Sequence, residues 1–339
     1  MSYKTILCLS FVFLNIIPLS CLAQLEIDTL FNPIYVQSFT QNTYQVKHIT
    51  LKNDKVIHFE PEKLLDKRTF VFDSLQQVVQ QIKYDPQTLK ELETYVISYT
   101  LQGQKKEIVQ MVNGGMEKKK IVFSYNKDML LVKKQVYIFN DTLWQTTNYQ
   151  YKDTLLVAEK TYNQANTLTY NRTITYDSHG NLVLFVNHKT LVYANKPYSY
   201  KQIFDENNRL RSKSFFDADN ALQTKWIYTY DNLGRLESEK QYNAEEMVLK
   251  ATYTTYDKKN RVVETYIIDN EKKQRTKTIY VYNKTNQYKK IKIFINDNKK
   301  PNFEKFYYYD SSNNWVYWVE IDKQTNWILL SERQIEYQK

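Results

Sequence analysis

Cysteine is nearly absent from this 339-residue sequence: it has two, Cys8 and Cys21, both close to the N-terminus. The rest of the chain therefore has no disulfide, no thiol nucleophile and no cysteine ligand for zinc. Glycine and proline are scarce, at 5 and 6 residues, which excludes a collagen-like or a low-complexity disordered chain. The four histidines show no metal-ligand or catalytic-triad spacing, so we expect no catalytic residue, no metal site and no cofactor.

A long apolar run, residues 6–19, follows the basic residue Lys4 at the N-terminus. It ends in the pattern Cys-Leu-Ala at 21–23, which is typical of a secretory signal peptide, and we predict cleavage before Gln24. The run is short for a membrane span. We therefore expect a bacterial protein without a transmembrane span that is secreted across the inner membrane and is periplasmic, on the cell surface or extracellular. Lipidation of Cys21 is the alternative.

Aromatic residues are what the sequence has in excess. It contains 30 Tyr and 16 Phe, and aromatic residues make up 15% of the chain. Tyr, Phe, Thr, Val and Ile fit the pleated, half-buried surface of a strand, so the composition favours an all-β fold. Charged residues make up 25%, with 47 Lys and Arg against 37 Asp and Glu, and this density argues against a polytopic membrane protein.

An aromatic residue recurs about every 26 positions through most of the chain. These anchors are Tyr99, Tyr125, Tyr151, Tyr176, Phe204, Tyr230, Tyr256, Tyr282 and Tyr309, with Phe72 and Tyr337 extending the series. In six successive repeats the next residue is Asp or Asn, and the fourth residue after the anchor is Gly or Asn. Gly and Asn adopt the left-handed conformation at low cost, so this spacing predicts a short hairpin turn. The predicted turn residues are Gly180, Asn208, Gly234, Asn260, Asn286 and Asn313.

A weaker turn signal follows each anchor by 11 to 13 residues, so each repeat is predicted to contain two strands. The sequence predicts an all-β, elongated array of about ten 26-residue repeats in a long antiparallel meander or a solenoid-like sheet, open or curled. The predicted units are a signal peptide at 1–23, an irregular N-terminal segment or cap at 24–65, and the repeat domain at 66–339. Residues 86–93 are the predicted short helix.

The turn sequences resemble the YD repeats of the Rhs family, whose signature is Tyr-Asp, two residues, then Gly-Arg/Asn-Leu. The stretches that carry the resemblance are YTYDNLGRLESEKQYN, ITYDSHGNLVLF, IFDENNRLRSK and YYYDSSNNWVYWVE. The resemblance covers about residues 66–339. MORN-like repeats contain a similar strand-turn-strand unit and are the alternative family. Either resemblance implies consecutive antiparallel hairpins that lie side by side.

Three of the five tryptophans lie in the last 25 residues. Rings exposed on a sheet stack on sugars, and nearby lysines attract acidic sugars; closure of a hydrophobic core is the alternative role for these tryptophans. Strand alternation places Trp315 on the side opposite Val316. The predicted ligand-binding residues are Trp315, Trp318, Trp327, Tyr307, Tyr309, Lys299, Lys300 and Lys305.

No catalytic motif is present, and turns account for most aspartates; Glu237 and Glu239 are interpreted as a solvated row on one strand. We therefore expect a non-enzymatic cell-envelope scaffold that binds a cell-surface polysaccharide or an envelope protein, and no nucleic acid. The alternatives are a secreted carbohydrate-active hydrolase or lyase that uses surface carboxylates, and a purely structural spacer or shell. The sequence does not predict an oligomeric state.

Overall fold

The computed structural model describes residues 36–52, 55–112, 115–139, 141–188 and 198–337, and within these ranges the chain forms strands and turns without a helix. The predicted signal peptide, its cleavage site before Gln24 and the alternative lipidation site Cys21 lie outside them. In the part of the chain described, no helix has the length and apolarity needed to cross a membrane. The strands are β1 (Val36–Lys52), β2 (Lys55–Phe72), β3 (Val78–Tyr84), β4 (Glu91–Tyr99), β5 (Lys105–Val112), β6 (Met116–Tyr125), β7 (Leu131–Ile138), β8 (Thr142–Lys152), β9 (Leu155–Asn163), β10 (Leu168–Tyr176), β11 (Leu182–Asn187), β12 (Tyr198–Phe204), β13 (Leu210–Phe216), β14 (Leu222–Tyr230), β15 (Leu236–Asn243), β16 (Val248–Tyr256), β17 (Val262–Asp269), β18 (Gln274–Tyr282), β19 (Tyr288–Ile295), β20 (Phe303–Tyr309), β21 (Trp315–Asp322) and β22 (Ile328–Tyr337).

The 22 strands form one sheet that closes on itself. Each strand pairs antiparallel with the next along the chain, and β1 also pairs with β22, from Val36↔Tyr337 to Val46↔Ile328. The predicted antiparallel meander is therefore confirmed and the sheet is curled, whereas the prediction of an open, elongated array is wrong. The reason is that each turn fixes only its own hairpin, whereas closure pairs two strands from opposite ends of the chain.

Side chains reinforce the seam between β1 and β22. Tyr44 Oη donates to Glu332 Oε1 at 3.1 Å, and Arg333 Nε donates to Gln41 Oε1 at 3.2 Å. Burial and the neighbouring Glu332 carboxylate raise the pKa of Tyr44 to about 12, so its hydroxyl remains a donor at neutral pH. The seam is thus held by polar contacts in addition to its backbone ladder.

The hairpin of β1 and β2 is the longest, with strands of 17 and 18 residues. It contains residues 36–52 and 55–65 of the segment that the sequence predicts to be irregular or a cap; residues 24–35, 53 and 54 lie outside the described ranges. Residues 86–93, predicted as a short helix, form a turn and the start of β4. The reason is that Leu89 adopts a left-handed φ of 58° and Glu91 pairs with Tyr84, which rules out a helical segment.

The ladders assign the strand residues to two faces, because residues that pair directly point to the same side of the sheet. Followed around the ring from Phe39, the pairing returns to Phe39 on the same side. Side chains converge on the concave face of a closed sheet and spread apart on the convex face. Since the buried charged residues that the structure describes, Lys134, Glu159, Arg172, Lys213 and Arg333, all lie on the Phe39 side, we call it the inner face and its opposite the outer face. Representative inner-face residues are Phe39, Phe70, Gln81, Ile97, Ile108, Ile121, Lys134, Thr147, Glu159, Arg172, Phe185, Tyr200, Lys213, Trp226, Glu239, Thr252, Thr265, Thr278, Ile293, Lys305, Trp318 and Arg333.

Apolar clusters support both faces. One, around Phe39 and Phe70, lies on the inner face beside the seam. A second, around Val319 and Leu330, lies on the outer face and packs against Phe59 of the long first hairpin. A third cluster of buried rings and aliphatic side chains lies on the inner face of β10–β12. The seam is therefore packed on both sides, whereas β10–β12 are packed on the inner face.

Candidate functional site

The repeated turns lie at one end of the ring, which we call the Asp-turn end. In the turn after β14, Asp231 Oδ1 accepts the backbone N–H groups of Leu233 and Arg235, both at 2.9 Å. The same two bonds recur at Asp73, Asn126, Asp177, Asp205, Asp257, Asn283 and Asp310. The six turn residues singled out in the sequence all have φ between 61° and 80°: Gly180, Asn208, Gly234, Asn260, Asn286 and Asn313.

The anchor tyrosines tie each repeat to the preceding one. Tyr230 Oη donates to the carbonyl oxygen of Leu210 in the adjacent strand at 2.8 Å. Equivalent bonds of 2.7–3.0 Å are made by Tyr99, Tyr125, Tyr151, Tyr176, Tyr256, Tyr282 and Tyr309. Burial raises the pKa of Tyr230 and of Tyr256, which keeps both hydroxyls protonated as donors. The 26-residue spacing thus places one ring and one hydroxyl at each junction between repeats.

Arginines join successive Asp turns. Arg235 Nε and Nη2 bind Asp231 Oδ2 at 2.7 and 2.6 Å, and its guanidinium lies 4.6 Å from the Tyr256 ring centroid. Its Nη1 donates to Asn260 Oδ1 of the next turn at 2.9 Å. Arg261 makes the same set of contacts one repeat later. Hydrogen bonding to Arg235 lowers the pKa of the Asp231 carboxyl, so the pair stays ionised well into the acid range.

A cleft of about 470 Å³ opens where this pattern is incomplete. Arg209 binds Asp205 and covers the Tyr230 ring like its counterparts. The next turn, however, carries Gly234 in place of Asn, so Arg209 Nη1 finds no hydrogen-bond partner among the residues described. Arg209 and Arg211 both line the cleft. The cleft therefore presents an unoccupied guanidinium nitrogen beside a second arginine.

Further along the inner face, a lysine is packed among aromatic rings. Lys213 Nζ lies 4.0 Å from the centroid of Tyr200 and 4.9 Å from that of Phe215, and Phe185 stacks on Tyr200 at 4.8 Å. Lys213 is only 4% exposed, and burial lowers its pKa to about 8. Within the described ranges it forms no ion pair with a carboxylate. A positive charge is thus held against rings on the inner face.

The inner face beside Lys213 is half-buried and polar. Trp226 pairs with Lys213 on one side and with Gln241 on the other, and Gln241 pairs with Lys250. These side chains are partly accessible from the interior of the ring. A ring, an amide and a cation therefore lie in one row across neighbouring strands.

Glu239 also lies on this face, opposite Tyr228. Burial raises the pKa of both groups. The interpretation of Glu237 and Glu239 as one solvated row is wrong, because the register shifts between Thr229 and Tyr230 and leaves Glu237 as the extra residue. Glu237 is exposed and Glu239 is not.

Trp315 is a core residue and offers no face to a ligand, in contrast to its prediction as a binding residue. It is fully buried, and the Arg333 guanidinium lies 3.5 Å from its ring centroid. Strand alternation fails here because a register shift pairs Trp315 with Tyr309 and leaves Val316 as the extra residue. The bulge turns the indole toward the inner face, where Arg333 covers it.

Three of the other predicted residues come together on the inner face. Trp318 pairs with Tyr307, and Lys305 Nζ lies 3.9 Å from the Trp318 ring centroid and 5.4 Å from that of Tyr307. Lys305 also lies 3.9 Å from Glu320 Oε2. The remaining predicted residues are placed elsewhere: Tyr309 is an anchor at the Asp-turn end, and Trp327, Lys299 and Lys300 lie in turns at the opposite end.

Sequence reasoning missed the inner-face residues of β12–β16: Tyr200, Lys213, Trp226, Tyr228, Glu239 and Lys250. Alternation does place Trp226 and Tyr228 on one side of their strand. It does not show which side faces inward, because that depends on closure of the sheet. Among the described residues, no group of three or more His, Asp or Glu side chains is arranged to hold a metal ion.

Comparison with known proteins relates the chain to others by fold alone. No family model matches the sequence, and no curated protein matches it significantly. The crystal structures of TcdB2-TccC3-Cdc42 and TcdB2-TccC3 match with a TM-score of 0.51, at 14% and 13% identity. Each match covers 87% of this chain and 16% of the other, so this chain spans a small part of their length. A porin-like protein from Bacteroides uniformis, matched over 90% of this chain and 99% of its own, has a TM-score of 0.32 at 10% identity, too low to indicate a shared fold.

Proposed function

We propose that this chain is a non-enzymatic binding scaffold of the bacterial envelope whose inner face holds an acidic polysaccharide. The observation that carries the proposal is the row of half-buried inner-face side chains Trp226, Gln241 and Lys250, with Lys305 on the Trp318 ring on the same face. Sugar rings stack on aromatic faces through their C–H groups, and their carboxylates are attracted to fixed cations. A ring of strands offers both kinds of group along a continuous concave surface.

The charge of the inner face supports an anionic ligand. Its strands carry the basic residues Arg68, Lys83, Lys105, Lys119, Lys134, Arg172, Lys213, Lys250, Lys305 and Arg333 and the acidic residues Asp66, Glu93, Glu159, Glu239, Asp269, Glu320 and Asp322. Glu159 is neutralised by its ion pair with Arg172. The excess of cations favours a polyanion over a neutral polymer.

The proposal includes export and a relation to YD/Rhs-like repeat proteins. The apolar segment and the Cys-Leu-Ala pattern before Gln24 support export, and the intact mass of the protein recovered from the envelope tests it. The Asp turns with a left-handed Gly or Asn support the relation to YD repeats over MORN-like repeats.

An envelope protein as ligand and an enzymatic role are the competing hypotheses. The half-buried Glu239 is the feature that favours an enzyme, because burial raises its pKa and a carboxyl group with a raised pKa is better suited to act as a general acid. Depolymerisation of a bound polysaccharide would shift the assignment to a hydrolase or lyase. Binding of envelope protein but of no polysaccharide would shift it to a protein scaffold.

The test compares the two faces of the same strands. We expect the purified protein to bind polygalacturonate but not uncharged dextran, with an affinity that falls as salt is added. Trp226→Ala and Lys250→Gln on the inner face should each weaken binding about tenfold, the size of a typical interface anchor. The matched outer-face variants Lys225→Gln and Lys240→Gln should change it less than about twofold, as rim charges do. Equal effects on both faces, or no binding to any acidic polysaccharide, would contradict the proposal.

A further inference from the structure

The Asp-turn end has one place where its internal hydrogen bonding is incomplete. In Arg235 and Arg261, Nη1 donates a hydrogen bond of 2.9 Å to the Asn side chain of the following turn. Arg209 likewise binds a carboxylate, Asp205, and covers a ring, Tyr230. Gly234 in the following turn, however, has no side chain to accept a hydrogen bond from Arg209 Nη1. The difference between these units is a single residue, Gly against Asn, at the left-handed position of the next turn.

The cleft lies at this position. Its lining includes Arg209, Arg211, Tyr228 and Tyr230, and it opens toward solvent. Arg211 is exposed and makes no hydrogen bond or ion pair with any residue the structure describes. Two guanidinium groups thus line a cavity large enough for one sugar residue, beside two phenol rings.

We propose that this cleft binds a single hexuronate residue, with the carboxylate paired to Arg209 Nη1 and Arg211 and the sugar ring placed against Tyr228 and Tyr230. This inference rests on the proposed function, because the sugar would be one unit of the acidic polysaccharide on the inner face. Guanidinium groups are suited to carboxylates because two N–H donors match the two oxygens. The tyrosine rings supply the contact that separates a uronate from a simple carboxylate.

The acidic residues of the cleft affect how tightly it binds an anion. Asp205 is already neutralised by Arg209 Nε and Nη2, at 2.8 and 2.7 Å. Glu206 also lines the cleft and forms no ion pair among the residues described, so it opposes an anion. Glu206 should therefore weaken the binding of any anion, and a uronate should bind more tightly than phosphate because only its sugar ring can contact the tyrosines.

The experiment introduces at one turn the residue that occupies the equivalent position in other turns of the same protein. Gly234→Asn supplies Arg209 Nη1 with the internal acceptor found at Asn260 and Asn286, at a position where Asn tolerates the left-handed φ. A Cβ at Gly234 would meet Arg209 Nη1 at 3.5 Å, an ordinary contact. We expect the variant to fold with an unchanged or higher Tm and to bind galacturonate about tenfold more weakly, the loss of one charge-assisted hydrogen bond.

Galacturonate binding to the purified full chain is measured by ligand-observed NMR, with acetate, galactose and inorganic phosphate as separate probes. Arg211→Gln should weaken galacturonate binding about tenfold and Glu206→Gln should strengthen it a few-fold, whereas Lys225→Gln on the outer face should leave it unchanged. Acetate and galactose should each bind more weakly than galacturonate. Binding that is equal for acetate and galacturonate, or unchanged in both Gly234→Asn and Arg211→Gln, would overturn the proposal.

The outcomes separate this inference from the proposed function. One outcome is that polygalacturonate binding depends on Trp226 and is unchanged in Gly234→Asn and Arg211→Gln. That result would exclude the cleft as a uronate site and support binding at the inner face. Galacturonate binding in the cleft without any binding of polygalacturonate would keep the cleft and remove the inner-face function. Tighter binding of phosphate than of galacturonate would assign the cleft to phosphate and overturn the uronate site.

Discussion

The two ends of the ring are built differently. At the Asp-turn end, the same carboxylate cap, left-handed residue and anchor hydroxyl recur from repeat to repeat. At the opposite end the turns differ in length and composition: the left-handed position is Asn at Asn220, but Glu246 and Lys273 occupy it in other turns. Left-handed φ costs Glu and Lys more than Gly or Asn, and at the Asp-turn end the same cost falls on Gln76 and Met129. The comparison indicates that the Asp-turn end holds the ring together and the opposite end is free to vary.

The largest expected difference between the ends concerns their tryptophans. Trp315→Ala should lower the free energy of unfolding by about 3–5 kcal/mol, because a fully buried ring that stacks with Arg333 leaves a cavity. Trp327→Ala, in a turn at the opposite end, should cost less than about 1 kcal/mol, since its ring is partly exposed. Urea denaturation followed by tyrosine fluorescence measures both. Similar costs for the two variants would show that the ends do not differ in packing.

Substitutions at the left-handed positions of Gly180 and Glu246 should change stability in opposite directions. Gly180→Val should destabilise by about 1–3 kcal/mol through backbone strain alone, because no atom lies within 4 Å of the added Cβ. Glu246→Gly at the opposite end should stabilise by about 1 kcal/mol, because it removes a left-handed φ of 61° from a residue with a Cβ. Asn313→Gly is the control and should be nearly neutral, because Gly also tolerates the left-handed φ of 63°. Thermal melts of the three variants measure the effects; a loss of stability in Glu246→Gly would contradict the comparison.

Tyrosine hydroxyls give a smaller contrast. Tyr256→Phe removes the 2.9 Å bond to the Leu236 carbonyl and should cost about 1 kcal/mol, because it leaves a partly buried acceptor unpaired. Tyr266→Phe at the opposite end removes an exposed 3.2 Å bond to Asp297, and water can replace it. We expect no measurable change in its urea midpoint. If the two variants shifted the midpoint equally, the anchor bonds would have no special role.

Acid should weaken the Asp-turn end first. Arg235, Arg209 and Arg261 lower the folded-state pKa of their partner aspartates, so this stabilisation is complete above the ordinary aspartate pKa. It is lost as the pH falls through the lower folded-state values, below about pH 4. Asp231→Asn keeps the turn caps, as Asn283 does, but should reduce the fall in Tm between pH 5 and the acid range, about pH 2–3.

The control for the acid experiment is Asp217→Asn at the opposite end. Asp217 Oδ1 caps its turn through the N–H groups of Asp219 and Ala221, without an arginine partner. The dependence of Tm on pH should therefore stay close to that of the unmodified protein. If Asp217→Asn changed the pH dependence of Tm more than Asp231→Asn, the acid-sensitive contacts would lie at the opposite end and the prediction would be wrong.

The Asp-turn end could be predicted from sequence because its physics is local. An Asp, a left-handed Gly or Asn, and an anchor Tyr lie within a few residues of one another, and each repeats at a fixed spacing. The opposite end gives a weaker signal because its turns use different residues. Closure could not be predicted, since the partner of Tyr44 is Leu330, and no local pattern specifies such a pair.

The residues of the inner face could not be predicted from the sequence for a related reason. Alternation places Trp226 and Tyr228 on the same side of their strand, but it does not reveal whether that side becomes the concave face of the sheet. Register shifts also mislead, since the extra residue Val316 reverses the side on which Trp315 is expected, and the extra residue Glu237 separates it from Glu239. The predicted cluster of Trp318, Tyr307 and Lys305 lies together because the shift between β20 and β21 falls at Tyr308/Tyr309, beyond the stretch in which these residues pair.

The seam also sets the order in which the chain can fold. Each hairpin ladder joins neighbouring segments and can form as soon as its second strand leaves the ribosome, but Ser38 and Glu336, which share a hydrogen bond across the seam, are 298 positions apart. Closing so long a loop is entropically costly and is expected to be the slow step of folding. Until it occurs, β1 and the newest strand both carry unpaired backbone edges. Nascent chains of this protein therefore require protection of two sheet edges, and a peptide with the sequence of β1, added during refolding, should compete for β22 and delay closure of the ring.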